Sequence, residues 1–146
     1  MKVFIKRLRD NAKLPTRGSD YAVGWDVYAA IEDKMFIFPH TTMKVGIGFA
    51  MQPEDDNYYL TVNARSGLAS SEGLRPANCV GICDWDYTGE YIVAVHNDSD
   101  ECKFIEPNQK IAQLVLQRKY DIEFEEVDEL KTTDRADGGF GHTAKY

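Results

Sequence analysis

The chain has 146 residues, of which 43% are hydrophobic and 28% are charged, as in a single globular domain with an ordinary core. The net charge of −7 argues against nucleic-acid and membrane partners, which require a basic face, although local Arg residues and backbone amides could still bind an anionic small molecule. Three cysteines do not predict a disulfide framework, and neither a membrane span nor a signal peptide is predicted, so we expect a cytoplasmic protein.

Short strands separated by turns are predicted along the whole chain. In order, the alternating or β-branched runs are KVFIKRL, AVGWDVYAA, two runs within MFIFPHTTMKVGIGFAM that break near Pro39, YYLTVNA, EYIVAVHN and KIAQLVLQRKY. Clusters of Gly, Pro, Asn, Asp and Ser at 17–20, 52–55, 97–100 and 107–108 mark turns. Only SGLASSEGL favours a short helical turn. The pattern predicts an all-β domain, either a barrel or a jelly roll.

The C-terminal segment TTDRADGGFGHTAKY has a different character, with three glycines and no apolar period. A disordered tail is the usual interpretation of such a composition. However, glycines let backbone amides approach a phosphate closely, and Phe140 offers a flat apolar face that can stack on a base. We therefore divide the chain into a β-barrel domain at 1–130 and a glycine-rich C-terminal arm at 131–146 that closes over a site.

The segment GICDWDYTGEY places Asp84 and Asp86 two positions apart beside Tyr87. In a strand, positions i and i+2 point to the same face. Like charges held that close repel each other unless a metal, a cation or water separates them. The segment is therefore either a solvated turn or a site that activates a reactant.

Three other segments carry polar groups that fit a phosphate site, and each has a structural alternative. Arg65, Ser66 and Gly67 follow a strand and could form a phosphate cradle or a solvated loop. Asp26 lies in an apolar strand and needs either a hydrogen-bonded structural partner or a hydrated cation. Gln113, the one polar residue in its apolar run, is either a buried amide satisfied by backbone or a ligand contact.

Five segments in a fixed order resemble the motifs of the trimeric dUTP pyrophosphatase (dUTPase) family. They are AVGWDVYAA (22–30), ARSGLAS (64–70), GICDWDYTGE (81–90), QKIAQLVLQR (109–118) and RADGGFGHTA (135–144). The family motifs read close to A-G-x-D-L-x-A, P-R-S-G-L-A, G-x-I-D-x-D-Y-x-G, G-x-R-I-A-Q-L and R-G-x-G-G-F-G-S-T-G. The resemblance runs end to end. It implies a jelly-roll-like fold, Mg²⁺-dependent hydrolysis of dUTP to dUMP and pyrophosphate, and a homotrimer with shared active sites.

The resemblance also implies a role for each matching residue of the third motif. Asp84 would be the general base that activates the attacking water. Tyr87 would pack against the deoxyribose and block a ribose 2′-OH. Asp86 would have a structural role, pairing with a cation or capping the turn. The uracil contacts would come from Asn78, Gly81, Ile82 and Cys83.

The other four motifs would hold the triphosphate and its metal. Arg65, Ser66 and Gly67 would bind the α- and β-phosphates or organise the subunit contact that does so. Gln113 would contact a phosphate, and Asp26 would hold waters of the Mg²⁺. In the C-terminal arm, Arg135 would bind the γ-phosphate, Phe140 would cover the uracil, and the phosphates would be closed in by Gly141, His142 and Thr143. The arm departs from the family pattern at Ala136, His142 and Ala144.

Two alternatives remain open from the residues. A dCTP deaminase-like enzyme would share the fold, but the third motif and the complete Gly-Gly-Phe-Gly arm argue against it. A regulatory binding protein that dUTP switches on or off would belong to another class, and such relatives carry inserted segments of which this chain shows none.

Overall fold

The computed structural model describes residues 1–78 and 80–139, and antiparallel strands dominate these ranges. The described residues form twelve strands and one helix. The helix is α1 (Ser66–Glu72), and it ends at Gly73, which adopts a left-handed φ of 71° that glycine accepts without strain. The strands are β1 (Val3–Arg7), β2 (Thr16–Arg17), β3 (Trp25–Tyr28), β4 (Met35–Ile37), β5 (Thr42–Gly46), β6 (Phe49–Pro53), β7 (Tyr58–Asn63), β8 (Leu74–Pro76), β9 (Gly81–Cys83), β10 (Ile92–Asn97), β11 (Lys103–Ile105) and β12 (Lys110–Arg118).

These strands pair in four antiparallel sheets. The largest has the order β2-β3-β12-β7-β9, with the long strand β12 at its centre. The others have the orders β5-β10-β8, β1-β6 and β11-β4. Nearly all of these neighbours are distant along the chain, so the connections cross between sheets, as they do in Greek-key and jelly-roll folds. The prediction of an all-β domain is confirmed.

One core lies between the five-stranded and the three-stranded sheet. In β10, Val93, Val95 and Asn97 are buried while Ile92, Ala94 and His96 are more exposed, which is the period of two expected for a strand with one face inward. From the other sheet, Val62 and Leu114 belong to the same buried cluster, and Leu68 of α1 joins it. Removing these apolar side chains from water stabilises the arrangement by about 1.5–3 kcal/mol each.

The longer predicted strands all form, and the break near Pro39 separates β4 from β5. The predicted helical turn is α1. Regular structure ends at Arg118, and residues 119–139 contain no strand or helix. The division of the chain into a domain and an arm at residues 130 and 131 stays a prediction. No helix within the described ranges has the length and apolar character that a membrane crossing requires.

Candidate active site

A pocket of about 250 Å³ opens beside β9 and β10. This volume lies just below the range of about 300–1,000 Å³ typical for small-molecule sites, so it suits one compact ring system better than an entire nucleotide. The pocket is lined by six residues that the sequence assigned to base, sugar or water: Asn78, Gly81, Ile82, Cys83, Asp84 and Tyr87. It is completed by four apolar or aromatic residues that the sequence did not assign: Val62, Tyr91, Ile92 and Val93.

The wall of this pocket is built by the pairing of β9 with β7. Gly81 lies opposite Val62, and Cys83 lies opposite Leu60. A Cβ atom at Gly81 would be 3.0 Å from Nδ2 of Asn78 and 3.2 Å from Cβ of Val62. The glycine therefore lets the Asn78 amide lie directly against β9, where its donors and acceptor can reach a ligand in the pocket.

Asp84 and Asp86 follow the end of β9 and are both exposed. The rule that residues i and i+2 share a strand face does not apply to them, because the chain turns here and the backbone carbonyl of Asp84 accepts the Tyr87 N–H at 3.1 Å. Asp84 lines the first pocket and a second one of about 560 Å³, which Asp86 and Lys119 also line. Among the described residues the Asp86 carboxylate has no ion pair or hydrogen bond, so the structural partner expected for it is not found there.

The Tyr87 side chain contacts two residues at the C-terminal end of its loop. Its hydroxyl donates to the backbone carbonyl of Glu90 at 2.7 Å, and its ring lies 5.8 Å from that of Tyr91. A Cβ atom at Gly89 would be only 2.7 Å from the Tyr87 hydroxyl oxygen. This close approach gives a physical reason for the glycine that ends the third motif.

Cys83 is a packing residue of the pocket wall. Burial, reinforced by the negative charge of Asp84, raises the pKa of its thiol to about 11. Burial likewise raises the pKa of the neighbouring Tyr91 hydroxyl. Both groups are therefore protonated near neutral pH and unreactive, since the thiolate is the nucleophilic form of cysteine.

A second polar cluster is centred on Asp26 in β3. Its Oδ1 accepts a hydrogen bond from Nε of Arg65 at 2.8 Å, and its Oδ2 lies 2.7 Å from Nζ of Lys110. Burial alone would raise the pKa of Asp26, but the hydrogen bonds and charges of Lys110 and Arg65 outweigh it and hold that pKa below its ordinary value. Lys110 was missed from the sequence, although it occupies the position of the Arg in the G-x-R-I-A-Q-L motif.

The side chains of the Asp26 cluster are not suited to bind a metal ion directly. Both carboxylate oxygens are engaged by cations, and the three side chains together carry a net charge of +1. In the described part of the chain, no three His, Cys, Asp or Glu side chains are grouped so that they could hold a metal. A contact to Mg²⁺ through water remains a prediction for Asp26, and the metal would have to arrive with its own ligands.

Gln113 holds the loop that carries Arg65. It is aligned with Asp26 on one side and with Asn63 on the other, in the middle of the five-stranded sheet. Its Nε2 donates to the carbonyl of Ala64 at 2.9 Å. A Cβ atom at Gly24 would lie 2.0 Å from Oε1 of Gln113, so any other residue there would displace this amide. The described contacts are those of an amide satisfied by backbone, and its phosphate contact stays a prediction.

Ser66 and Gly67 begin α1 on the exposed side of this cluster. No described atom lies within 4 Å of a Cβ atom built at Gly67, apart from its chain neighbours and its own helix. The backbone at this point is open to a ligand or to another polypeptide chain.

The pocket extends along β7 as far as Val62, but the Asp84 carboxylate and the Arg65 cluster lie toward opposite ends of that strand. Asp84 follows Cys83, which pairs with Leu60, whereas Arg65 lies two residues beyond the end of the strand at Asn63. Five residues of extended chain span about 16 Å. One chain therefore keeps its pocket carboxylate well apart from its Arg65 cluster.

Of the arm residues predicted to contact the ligand, only Arg135 is described. It is exposed, and its Nε donates to the carbonyl of Gly138 at 2.9 Å within a turn. Ala136 in this turn has a φ of 44°, a left-handed conformation that the glycine of the family motif would adopt more readily. Phe140, Gly141, His142 and Thr143 lie outside the described residues.

Comparison with known proteins identifies the family. The dUTPase family model matches residues 10–144. The chain is 37% identical to the deoxyuridine 5′-triphosphate nucleotidohydrolase of Idiomarina loihiensis, over 99% of this chain and 96% of that protein. It is 40% identical to the enzyme of the same name from Fusobacterium nucleatum, over 99% of each. The chain belongs to the dUTPase family, as the five motifs predicted.

Solved structures show the same fold. The dUTPase of Staphylococcus bacteriophage 80alpha with dUPNHPP has a TM-score of 0.81 at 22% identity, covering 97% of this chain and 98% of that one. The dUTPase of phage phi11 of Staphylococcus aureus has a TM-score of 0.78 at 20% identity, covering 91% and 100%. The predicted jelly-roll-like fold is confirmed.

Proposed function

We propose that this chain is a dUTP diphosphatase that hydrolyses dUTP to dUMP and pyrophosphate, with Asp84 as the general base. One observation carries the residue assignments: the base, sugar and water residues expected from the third motif line a single pocket. Family membership and 37–40% identity to nucleotidohydrolases over nearly the whole chain support the reaction. The two alternatives, a dCTP deaminase-like enzyme and a dUTP-switched regulatory protein, are not favoured by these relatives.

The reaction requires a general base and groups that stabilise the negative charge of the phosphates. The Asp84 carboxylate accepts a proton from water, the water oxygen forms a bond to the α-phosphorus, and the bond from that phosphorus to the bridging oxygen breaks to release pyrophosphate. Asp84 suits this step because it is exposed at the pocket and its carboxylate has no ion pair among the described residues. The remaining work is positioning and charge stabilisation.

The Arg65 cluster is the candidate phosphate site. Asp26 offsets only one of the two positive charges of Arg65 and Lys110, so the cluster retains a charge that attracts a triphosphate. The backbone of Ser66 and Gly67 is exposed beside it. Because this cluster and the Asp84 carboxylate lie apart in one chain, we propose that each active site combines the pocket of one subunit with the cluster of another in a homotrimer.

A divalent metal is part of the proposal, with Mg²⁺ as the predicted ion. A mutant dUTPase of phage phi11 coordinates a structural Mg(II) ion. In this chain the Asp26 cluster lacks a direct ligand set, so the triphosphate would bring the metal, and none of the steps assigned to Asp84 depends on it. Mg²⁺ keeps several of its waters when it binds to phosphates, which fits an indirect contact.

Pyrophosphate release tests the proposal directly. The full-length protein is assayed with dUTP, dTTP, dCTP and UTP, each with Mg²⁺ and with a chelator. Of the four nucleotides, we expect only dUTP to be hydrolysed at an appreciable rate. A site that hydrogen-bonds the uracil edge rejects the mismatched edge of cytosine by about 10⁴-fold, whereas the 5-methyl group of dTTP and the 2′-OH of UTP would be excluded sterically. Ammonia release from dCTP would instead identify a deaminase. Binding of dUTP without any product would favour the regulatory protein.

A further inference from the structure

Glu90 joins three separate segments of the chain beside the pocket. Its Oε2 accepts a hydrogen bond from Nη2 of Arg9 at 2.8 Å. Its Oε1 accepts the backbone N–H of Gly48 at 2.9 Å. Arg9 in turn donates through Nη1 to the carbonyl of Ala30 at 3.1 Å. Both oxygens of the Glu90 carboxylate are therefore held by donors from distant parts of the sequence.

This junction is tightly packed. The Glu90 side chain is only 19% exposed, whereas that of Arg9 is 44% exposed. A Cβ atom at Gly46 would lie 2.4 Å from Oε1 of Glu90 and 2.8 Å from Nη2 of Arg9. A carboxylate held by a guanidinium and a backbone amide in so little space has one orientation. Such a pair contributes more to the stability of the folded protein than a solvated surface ion pair does.

The backbone of Glu90 holds the side chain of Tyr87. The Glu90 backbone carbonyl accepts the Tyr87 hydroxyl at 2.7 Å, and that ring lines the pocket. Tyr87 is 45% exposed, so packing alone does not fix its ring. Any movement of the Glu90 backbone would therefore be transmitted to the ring through the hydroxyl.

We propose that Glu90, held by Arg9 and the Gly48 amide, is a positioning residue that fixes the Tyr87 ring for selection of deoxyribose over ribose. The inference rests on the proposed function, in which the Tyr87 ring excludes a 2′-OH. Glu90 touches no reacting atom. Its effect is to hold the ring close enough that the additional hydroxyl of UTP does not fit.

The test compares kcat/KM for dUTP with kcat/KM for UTP in four proteins: wild type, Glu90→Gln, Arg9→Ala and Arg9→Lys. Glu90→Gln keeps an oxygen for the Gly48 N–H but loses the charge that faces Arg9. We expect Glu90→Gln and Arg9→Ala each to lower the dUTP-to-UTP ratio by about 3- to 10-fold, the effect of one weakened hydrogen bond. Arg9→Lys should restore part of the ratio, because it restores the positive charge.

Two further variants separate positioning from general stability. Glu106→Gln removes an ion pair with Lys34, of 3.0 Å, that lies outside the proposed site, and it should leave the ratio unchanged. Tyr87→Phe removes the hydroxyl that Glu90 holds, and it should lower the ratio on its own. Adding Glu90→Gln to Tyr87→Phe should then cause little further loss, because both changes break the same link.

The possible results distinguish this inference from the proposed function. Wild-type protein that does not hydrolyse dUTP would overturn both. Wild-type protein that hydrolyses dUTP, with variants that melt earlier but keep the dUTP-to-UTP ratio, would overturn the inference alone. If Arg9→Ala does not fold, the ratios of Glu90→Gln and Arg9→Lys still decide the question.

Discussion

Asp26 and Asp84 are both aspartates, but they lie in different environments. These environments suit Asp26 to ion pairing and Asp84 to accepting a proton. The Asp26 side chain is 13% exposed, and both of its oxygens are held by cations, which lowers its pKa and makes it a poor proton acceptor. Asp84 is exposed at a pocket, where a water molecule and a ligand can both approach its carboxylate. A general base requires access to the proton it removes. Asp84 meets that requirement and Asp26 does not.

Asp84→Asn should abolish turnover of dUTP while nucleotide binding survives. The amide keeps the shape of the side chain but cannot accept a proton from water, and a general base contributes about 10²–10⁴-fold to a rate. Single-turnover kinetics measure the rate, and calorimetric titration with a non-hydrolysable dUTP analogue measures the binding. A rate within a few-fold of wild type would remove Asp84 from the role of base.

Asp26 should make the free energy of unfolding depend on pH in the acidic range. Its pKa in the folded protein is lowered from the ordinary value of 3.8, so its stabilising contribution is present above that value and is lost as pH falls through the folded pKa. Asp26→Asn should therefore lower the free energy of unfolding by roughly 1–3 kcal/mol near pH 6. As pH falls below 3.8 the difference from wild type should shrink, because the unfolded state there takes up a proton that the folded carboxylate takes up only at lower pH.

Denaturant unfolding at a series of pH values measures this difference. The matched control is Asp33→Asn, since Asp33 is an exposed carboxylate with no ion pair among the described residues. It should show little change at any pH. A difference for Asp26→Asn that is as large at pH 3 as at pH 6 would contradict a stabilising role for the charge.

The sequence predicted the pocket residues better than the ion pairs. Asp84, Tyr87 and the residues of β9 come from one continuous motif, so local sequence was enough to group them. The contact between Asp26 and Lys110 depends on the register of β3 against β12, with the shift between Lys110 and Ala112, which no local pattern specifies. The junction of Arg9 with Glu90 spans 81 residues and has no sequence signature at all.

Strand length explains which elements could be predicted. The strands β7, β10 and β12 have six to nine residues with an apolar period or run, and all three were predicted. The strands β8 and β11, which were not predicted, have three residues each, too few to show a period, whereas the three residues of β4 lie within the apolar run MFIF. Strands β8 and β11 exist because β10 and β4 offer them backbone partners, a tertiary effect that outweighs local preference.

Ending the chain after Leu130 should leave a folded protein with little activity. The last strand ends at Arg118, and residues 131–137 are exposed, so the core loses almost no burial. We expect a nearly unchanged thermal midpoint. The arm carries Arg135 and Phe140, which are assigned to the γ-phosphate and the uracil, so kcat should fall and binding should weaken.

Calorimetry and steady-state kinetics on the truncated chain check both parts of this expectation. Phe140→Ala in the full-length chain is the matched single change, and it should reproduce part of the loss of activity. Hydrolysis at nearly the full rate without the arm would contradict its role as a lid. A truncated chain that fails to fold would show instead that residues 131–146 contribute to the core of the assembly.

The single chain exposes several large hydrophobic side chains that a subunit contact could cover. Several large hydrophobic side chains on strands or between them are 44–73% exposed: Phe4, Leu14, Val23, Trp25, Phe36, Phe38 and Phe104. A subunit contact would remove such side chains from water and stabilise an assembly. The Asp84 carboxylate and the Arg65 cluster lie apart in one chain. In the proposed trimer, association would bring the Asp84 carboxylate of one subunit to the Arg65 cluster of another.

Mixing two inactive variants tests whether the site is shared between subunits. Asp84→Asn lacks the base and Arg65→Ala lacks the phosphate cluster, so each variant alone should be nearly inactive. If the two residues of a site come from different subunits, half of the pockets and half of the clusters in an equal mixture are intact. Random reassembly should then restore about a quarter of the wild-type activity.

The variants are unfolded together, refolded together and assayed for pyrophosphate release, with separately refolded and then mixed samples as the control. Activity that stays at the level of that control would mean that a single chain supplies both groups, and the shared-site trimer would be wrong.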